Sequence, residues 1–255
     1  LYRLWDETRG QNTHAYDALL EQAATKGHAS AQFDMGERCA SGPANGRDWA
    51  AAFRWYEAAA LQGHALAQCA LGDCYASGKG TRQDKRKAFS WYALAAEQNI
   101  PRAMWNLGEM YAQGLPGIEP DAKKAASLCK RAANAGFAPA RSTLGALFAK
   151  AGRLDRAVHW WSLAAEQSDL EATFNLAQCY RSGKGVTQDM DVAFELFLRA
   201  AEGGLRTAQS RVGLAFATGE GVAVDLVEAC RWFELAAKRG DAAAIANRDR
   251  ARKML

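Results

Sequence analysis

The chain has 255 residues, 49% of them apolar and 24% charged, and its 32 basic and 28 acidic residues leave a net charge of +4. Such a balance fits a soluble folded protein and excludes a disordered one, and no apolar run approaches the roughly 20 residues of a membrane-spanning helix. The charges are interspersed, without the block of like charges that marks a nucleic-acid arm. In chain order, residues 1–9 read as a truncated helix of a first type, A, and 12–26 as a helix of a second type, B. Pairs of A and B helices are then predicted near 29–41 and 48–62, 65–77 and 84–98, 101–113 and 121–135, 138–150 and 153–167, 170–182 and 189–203, and 206–218 and 225–239. The segment 242–254 reads as one more A helix and a terminal cap, with Arg248, Arg250, Arg252 and Lys253 on its polar outer face.

Recurrence carries this division. Trp55-Tyr56, Trp91-Tyr92, Leu128-Cys129, Trp160-Trp161, Leu196-Phe197 and Trp232-Phe233 follow one another at gaps of 36, 37, 32, 36 and 36 residues. The anchors Gly36, Gly72, Gly108, Gly145, Ala177 and Gly213 share that period, as do the closing positions Gly27, Gly63, Asn99, Gly136, Ser168, Gly204 and Gly240. A period of this length means a stacked array of supersecondary units. The boundaries are a partial N-terminal repeat at 1–28, six repeats at 29–64, 65–100, 101–137, 138–169, 170–205 and 206–241, and a cap at 242–255, within a single repeat domain spanning 1–255. A solenoid resolves the absence of a linker in a chain longer than one compact core usually allows.

The second repeat shows how each unit is built. Ala67, Leu71 and Tyr75 lie at i, i+4 and i+8 on one stripe of helix A. Gly72 beside that stripe is expected to let the next helix approach closely, and Gly78 and Gly80 to end the helix. Asp84 fits an N-cap of helix B, a slot shared by Asp48, Asp121, Asp189 and Asp225. Ala88, Trp91, Tyr92, Ala95 and Ala96 trace the buried face of helix B. The third repeat departs from this pattern with Leu128-Cys129 in place of Trp-Tyr and Pro116 in its loop, which leaves less aromatic filling. The fourth lacks the Gly-x-Gly loop and runs from Ala151-Gly152-Arg153 straight into helix B.

Catalytic and metal chemistry have no visible residues. His14, His28, His64 and His159 are isolated, and Cys39, Cys69, Cys74, Cys129, Cys179 and Cys230 follow neither the repeat nor a zinc spacing. These cysteines read as small core hydrophobes, with a Cys39–Cys74 bridge left open. No phosphate loop or Ser/His/Asp signature appears. No catalytic residue, metal ligand or cofactor is therefore expected.

The pattern A-x-x-x-L-G-x-x-Y-x-x-G-x-G-x-x-x-D-x-x-x-A-x-x-W-Y-x-x-A-A-x-x-G, as in Leu71-Gly72 with Tyr75 and in Gly183, Gly185 and Asp189, resembles the Sel-one-like repeat family, relatives of the tetratricopeptide repeats, over about residues 12 to 250. The resemblance implies an all-α fold, a right-handed superhelical α/α solenoid of antiparallel helix hairpins with A helices lining a concave groove. It also implies a non-catalytic scaffold or adaptor for a partner protein or peptide, as in bacterial secretion, envelope or toxin-neutralising systems.

Slots counted from the glycine anchor should point into that groove. They nominate Phe33, Trp105 and Phe174 as aromatic anchors, Glu37, Asp73 and Glu109 as an acidic stripe, and Gln178 and Arg181 in the fifth repeat. Along the first three A helices four acids face two bases, and along the last three five bases face one acid, which suggests a bipolar groove that orients its partner. An RNA-reading array of two-helix repeats is the alternative, but the groove lacks recurrent polar selectors and its first half is acidic, so no nucleic acid is expected. An enzyme is the remaining alternative. A monomer is favoured, and the bacterial cytoplasm is favoured over the periplasm because the cysteines show no disulfide register and no signal segment precedes Leu1, a start that reads as a trimmed chain or a fragment.

Overall fold

A computed structural model describes residues 13–42, 46–238, 240 and 242–255. These residues form fourteen α-helices and no strand. In chain order the helices are α1 (Thr13–Thr25), α2 (Ala29–Ala40), α3 (Trp49–Leu61), α4 (Ala65–Ser77), α5 (Lys85–Glu97), α6 (Pro101–Gln113), α7 (Ala122–Asn134), α8 (Ala138–Lys150), α9 (Leu154–Ala165), α10 (Leu170–Ser182), α11 (Met190–Glu202), α12 (Arg206–Thr218), α13 (Leu226–Ala237) and α14 (Ala242–Arg252). The predicted helix at 1–9 lies outside the described residues. The chain forms two compact units, Leu1–Ala132 and Ala133–Leu255.

Five of the B helices start where an aspartate offers an acceptor, whereas α9 starts at Arg153 without a side-chain cap. Asp48 takes the Ala51 N–H at 2.8 Å, Asp84 that of Lys87 at 3.0 Å and Asp121 that of Lys124 at 2.9 Å. Asp189 and Asp225 cap α11 and α13 in the same way. These bonds satisfy donors that a helix start leaves open. Gly78, Gly183 and Gly219 end A helices with a positive φ. Two residues on, a Cβ at Gly80 would run into the backbone of Trp49 at the start of the preceding B helix, so the loop packs there only because the side chain is absent.

The anchor glycine has a different neighbour from the one the spacing suggests. A Cβ at Gly72 would stand 2.7 Å from Cδ1 of Tyr92, and Gly213 faces the Phe233 ring in the same way. The glycine thus makes room for the second aromatic of its own hairpin's B helix, not for the next A helix. The first aromatic turns the other way: Trp55 packs on a buried cluster formed by Leu20, Ala23 and Ala24 of α1 and Ala31 of α2, at the joint with the preceding B helix. At Gly108 the ring is missing, and the nearest atom to a Cβ would be the Ala125 carbonyl oxygen at 3.2 Å.

Successive hairpins meet through alanines and edge-on rings. In the N-terminal unit Phe53 meets Tyr75 with ring centres 5.4 Å apart, and Phe89 meets Tyr111 at 5.2 Å. In the C-terminal unit Phe194 repeats this against Phe216 at 5.3 Å. Edge-to-face pairs of this kind add to the stabilisation from burial alone. Buried glutamines tie the same joints together. The Gln68 side chain donates to the Ala60 carbonyl and accepts from Gln98 Nε2 at 2.8 Å, and Gln32 bridges Ala24 and Gln62 in the same manner.

Candidate functional site

The A-helix face of the N-terminal unit holds a cleft of about 560 Å3 whose walls come from α2, α3, α4, α5 and α6. Two hairpins contribute the same device to it. Tyr56 of α3 donates its hydroxyl to Glu37 Oε1 of α2 at 2.7 Å, and Tyr92 of α5 donates to Asp73 Oδ1 of α4 at 2.6 Å. The anchor glycine seats each ring, and the acid one residue later in the A helix receives its hydroxyl. Repeat geometry thereby couples a tyrosine in the B helix to an acid in the A helix.

Asp73 is the more heavily engaged of the two acids. Arg102 of α6 reaches its Oδ2 at 3.0 Å, Asn106 donates to Oδ1 at 3.2 Å, and the Arg102 Nε also points at Cys69 Sγ at 3.3 Å. Burial pushes the Asp73 carboxyl above the usual carboxylate range and Glu37 adds to this, while the Arg102 charge and the Tyr92 hydroxyl pull it partly back. Burial and then the neighbouring acid hold the Tyr56 and Tyr92 phenols far above their ordinary value, so both stay protonated donors. For Arg102 burial works against the charge, but Asp73 prevails and keeps the guanidinium ionised.

The rim of the cleft is both cationic and aromatic. Lys79 Nζ lies 4.6 Å from the Trp49 ring centre, where the ring face attracts it. Cys74 forms part of the wall; burial and then Asp73 push its thiol up to about 11, so it is a neutral lining group and not a nucleophile. All six cysteines are free, Cys39 and Cys74 included. Among the described residues no group of three or more His, Cys, Asp or Glu side chains is placed to hold a metal ion.

Of the eight residues nominated from the sequence, Glu37 and Asp73 line this cleft, while Phe33, Trp105 and Glu109 do not. Phe33 is half-buried, stacked on His64 at 5.0 Å and tilted against Tyr56 at 5.9 Å. Trp105 is also half-buried on α6. Glu109 has Cys129 in the slot of the tyrosine, and burial and then Glu109 raise that thiol to about 11. In the C-terminal unit Phe174 packs on Phe197 at 5.4 Å, and Gln178 Oε1 accepts from Arg181 Nε at 3.0 Å. The remaining charged, amide and aromatic lining, Arg102, Asn106, Tyr56, Tyr92, Trp49 and Lys79, escaped the sequence reading. Periodicity places Tyr92, and by the shared slot Tyr56, on the buried face of a B helix, which gives no sign that the hydroxyl reaches an acid, and Arg102 is only one of the two bases counted along the first three A helices.

A family model of the Sel1 repeat matches residues 29–64, 65–100, 101–137, 154–169, 170–205 and 207–241. Over 100 residues the chain is 36% identical to the DAP3-binding cell death enhancer 1 of Rattus norvegicus; the match covers 38% of this chain and 20% of that protein. The chain thus spans about a fifth of the length of that relative. A Sel1 repeat protein from Oxalobacter formigenes is similar in structure, with a TM-score of 0.78 and 30% identity over 89% of this chain and 98% of that one. The protective antigen c5321 of uropathogenic Escherichia coli strains, which displays an SLR fold, gives a TM-score of 0.67 at 28% identity, covering 92% of this chain and 59% of that one.

Proposed function

The chain belongs to the Sel1 repeat family, and from that premise we propose that it is a non-catalytic interaction scaffold whose N-terminal cleft takes a segment of a partner protein. Sel1 repeat proteins generally mediate protein–protein interaction. The observation that carries the reading is the cleft itself, about 560 Å3 walled by helices of successive repeats and holding preset polar groups. Such concavity with a few convergent polar groups is what a binding site needs. Within it Asp73 is neutralised by Arg102, and Lys79 is drawn to Trp49, whereas the structure gives Glu37 a hydroxyl donor and no ion pair among the described residues. A partner segment that presents a cation to Glu37 completes the charge balance of the cleft.

Site-specific photo-crosslinking tests this reading. A benzophenone amino acid is placed at Ser77 on the cleft rim and, as a control, at Arg54 on the exposed face of α3, and the protein is irradiated in cells of its source organism. A protein captured from Ser77 and absent from Arg54 supports docking in the cleft. Capture from Arg54 alone would move the interaction to the B-helix face.

A further inference from the structure

We infer that the side chain received by the cleft is an arginine, whose guanidinium takes at Glu37 the place that Arg102 takes at Asp73 one repeat further on. This deepens the proposed docking in the cleft and rests on it.

The molecule holds the pattern for this occupant within itself. In the second repeat Asp73 divides its oxygens: Oδ1 accepts the Tyr92 hydroxyl at 2.6 Å and the Asn106 amide at 3.2 Å, and Oδ2 takes the Arg102 guanidinium at 3.0 Å. Arg102 and Asn106 both come from α6, the A helix of the next hairpin. One repeat earlier Glu37 stands in the slot of Asp73 and Tyr56 in that of Tyr92, and Oε1 accepts the Tyr56 hydroxyl at 2.7 Å. The A helix of the next hairpin is here α4, and at the slots of Arg102 and Asn106 it carries Leu66 and Ala70. Neither can bond a carboxylate. Glu37 Oε2 therefore keeps no partner among the described residues, and Ala70 forms part of the cleft wall where the counterpart of Asn106 would stand.

The nearby bases are committed elsewhere: Arg102 to Asp73, Lys79 to the face of Trp49 and Arg38 to Asp17. One bond of the pattern has no counterpart. Arg102 Nε lies 3.3 Å from Cys69 Sγ, whereas the same slot in the first repeat holds Phe33, stacked on His64. Glu37, fixed by the Tyr56 hydroxyl, thus carries the recognition. The walls favour arginine over lysine, because they include the Tyr56 ring and the buried Cys74. A guanidinium is more weakly hydrated than a compact ammonium and loses less on entering such a setting.

Two peptides, acetyl-Gly-Arg-Gly-amide and acetyl-Gly-Lys-Gly-amide, are titrated into the full chain by NMR at low salt. The arginine peptide is expected to shift the Ala40, Ala70 and Tyr56 signals saturably and to bind several-fold more tightly than the lysine peptide. Glu37→Gln should weaken it about fivefold, the worth of an exposed ion pair. Leu66→Arg supplies a guanidinium from α4 itself and should weaken the peptide to the same degree; Leu66 is 46% exposed, so a charge there leaves the core intact. Leu94→Arg, which adds the same charge at an exposed position of α5, should change nothing. Equal affinity for the two peptides, absence of a saturable shift, or wild-type binding by folded Leu66→Arg would overturn the inference. Photo-crosslinking from Ser77 separates it from the docking reading: a partner captured equally by Leu66→Arg and the wild type leaves docking standing and removes arginine as the group that docks.

Discussion

The imidazole of His64 caps α4: Nδ1 accepts the Ala67 N–H at 3.2 Å while the ring stacks on Phe33. Only the neutral ring can accept there, and burial lowers the pKa of His64 below its ordinary 6.5, with Asp34 pulling it partly back. A basic group with a depressed folded pKa contributes stability that is present above the unfolded value and lost as pH falls through the folded one. His64→Asn retains a capping side chain that does not titrate. Between pH 7.5 and 5 the wild type is therefore expected to lose about 1 kcal/mol relative to this variant, the usual worth of an N-cap. Parallel urea midpoints across that range would refute the assignment. None of this was legible in the sequence, where His28 and His64 share a slot; the structure shows a capping bond only at His64.

Helix starts and ends, by contrast, could be read directly. Asp48, Asp84, Asp121, Asp189 and Asp225 cap as their spacing implies, because an N-cap is a contact between residues two or three apart and needs no tertiary partner. The anchor glycine is the opposite case. Periodicity placed Gly72 on a buried stripe but could not name the ring across from it, since a helical face does not identify what covers it. With Tyr92 as that neighbour, Gly72→Ala should force the ring aside at a cost of about 1–3 kcal/mol. Better helix propensity returns about 1 kcal/mol, so a net loss of up to about 2 kcal/mol is expected in urea unfolding. A variant more stable than the wild type would mean that the ring yields without strain. Ala177, which holds the same slot in the fifth repeat, shows how the array accommodates a methyl group when the hairpin carries it natively.

For the molecule as a whole, the net charge of +4 conceals a local arrangement that a residue count cannot show. Counting acids along the first three A helices suggested a uniform stripe, yet Asp73 spends its charge on Arg102 while Glu37 stays exposed at the cleft. Glu37→Gln keeps an acceptor for the Tyr56 hydroxyl and removes the charge. It is expected to leave the fold intact and to weaken capture of the cleft's partner several-fold at low salt but little at high salt, because exposed charges are screened. Equal loss at both salts would point to shape and not to charge. The repeat period, the helices, the aspartate caps of the B helices and the family itself were determined by the sequence alone, because each rests on local chemistry repeated at a constant interval. Which ring each glycine seats, which acid each tyrosine and arginine engages, and the cleft left between the hairpins were decided only by the tertiary structure. Those depend on side chains tens of residues apart meeting across hairpins, and no period encodes that.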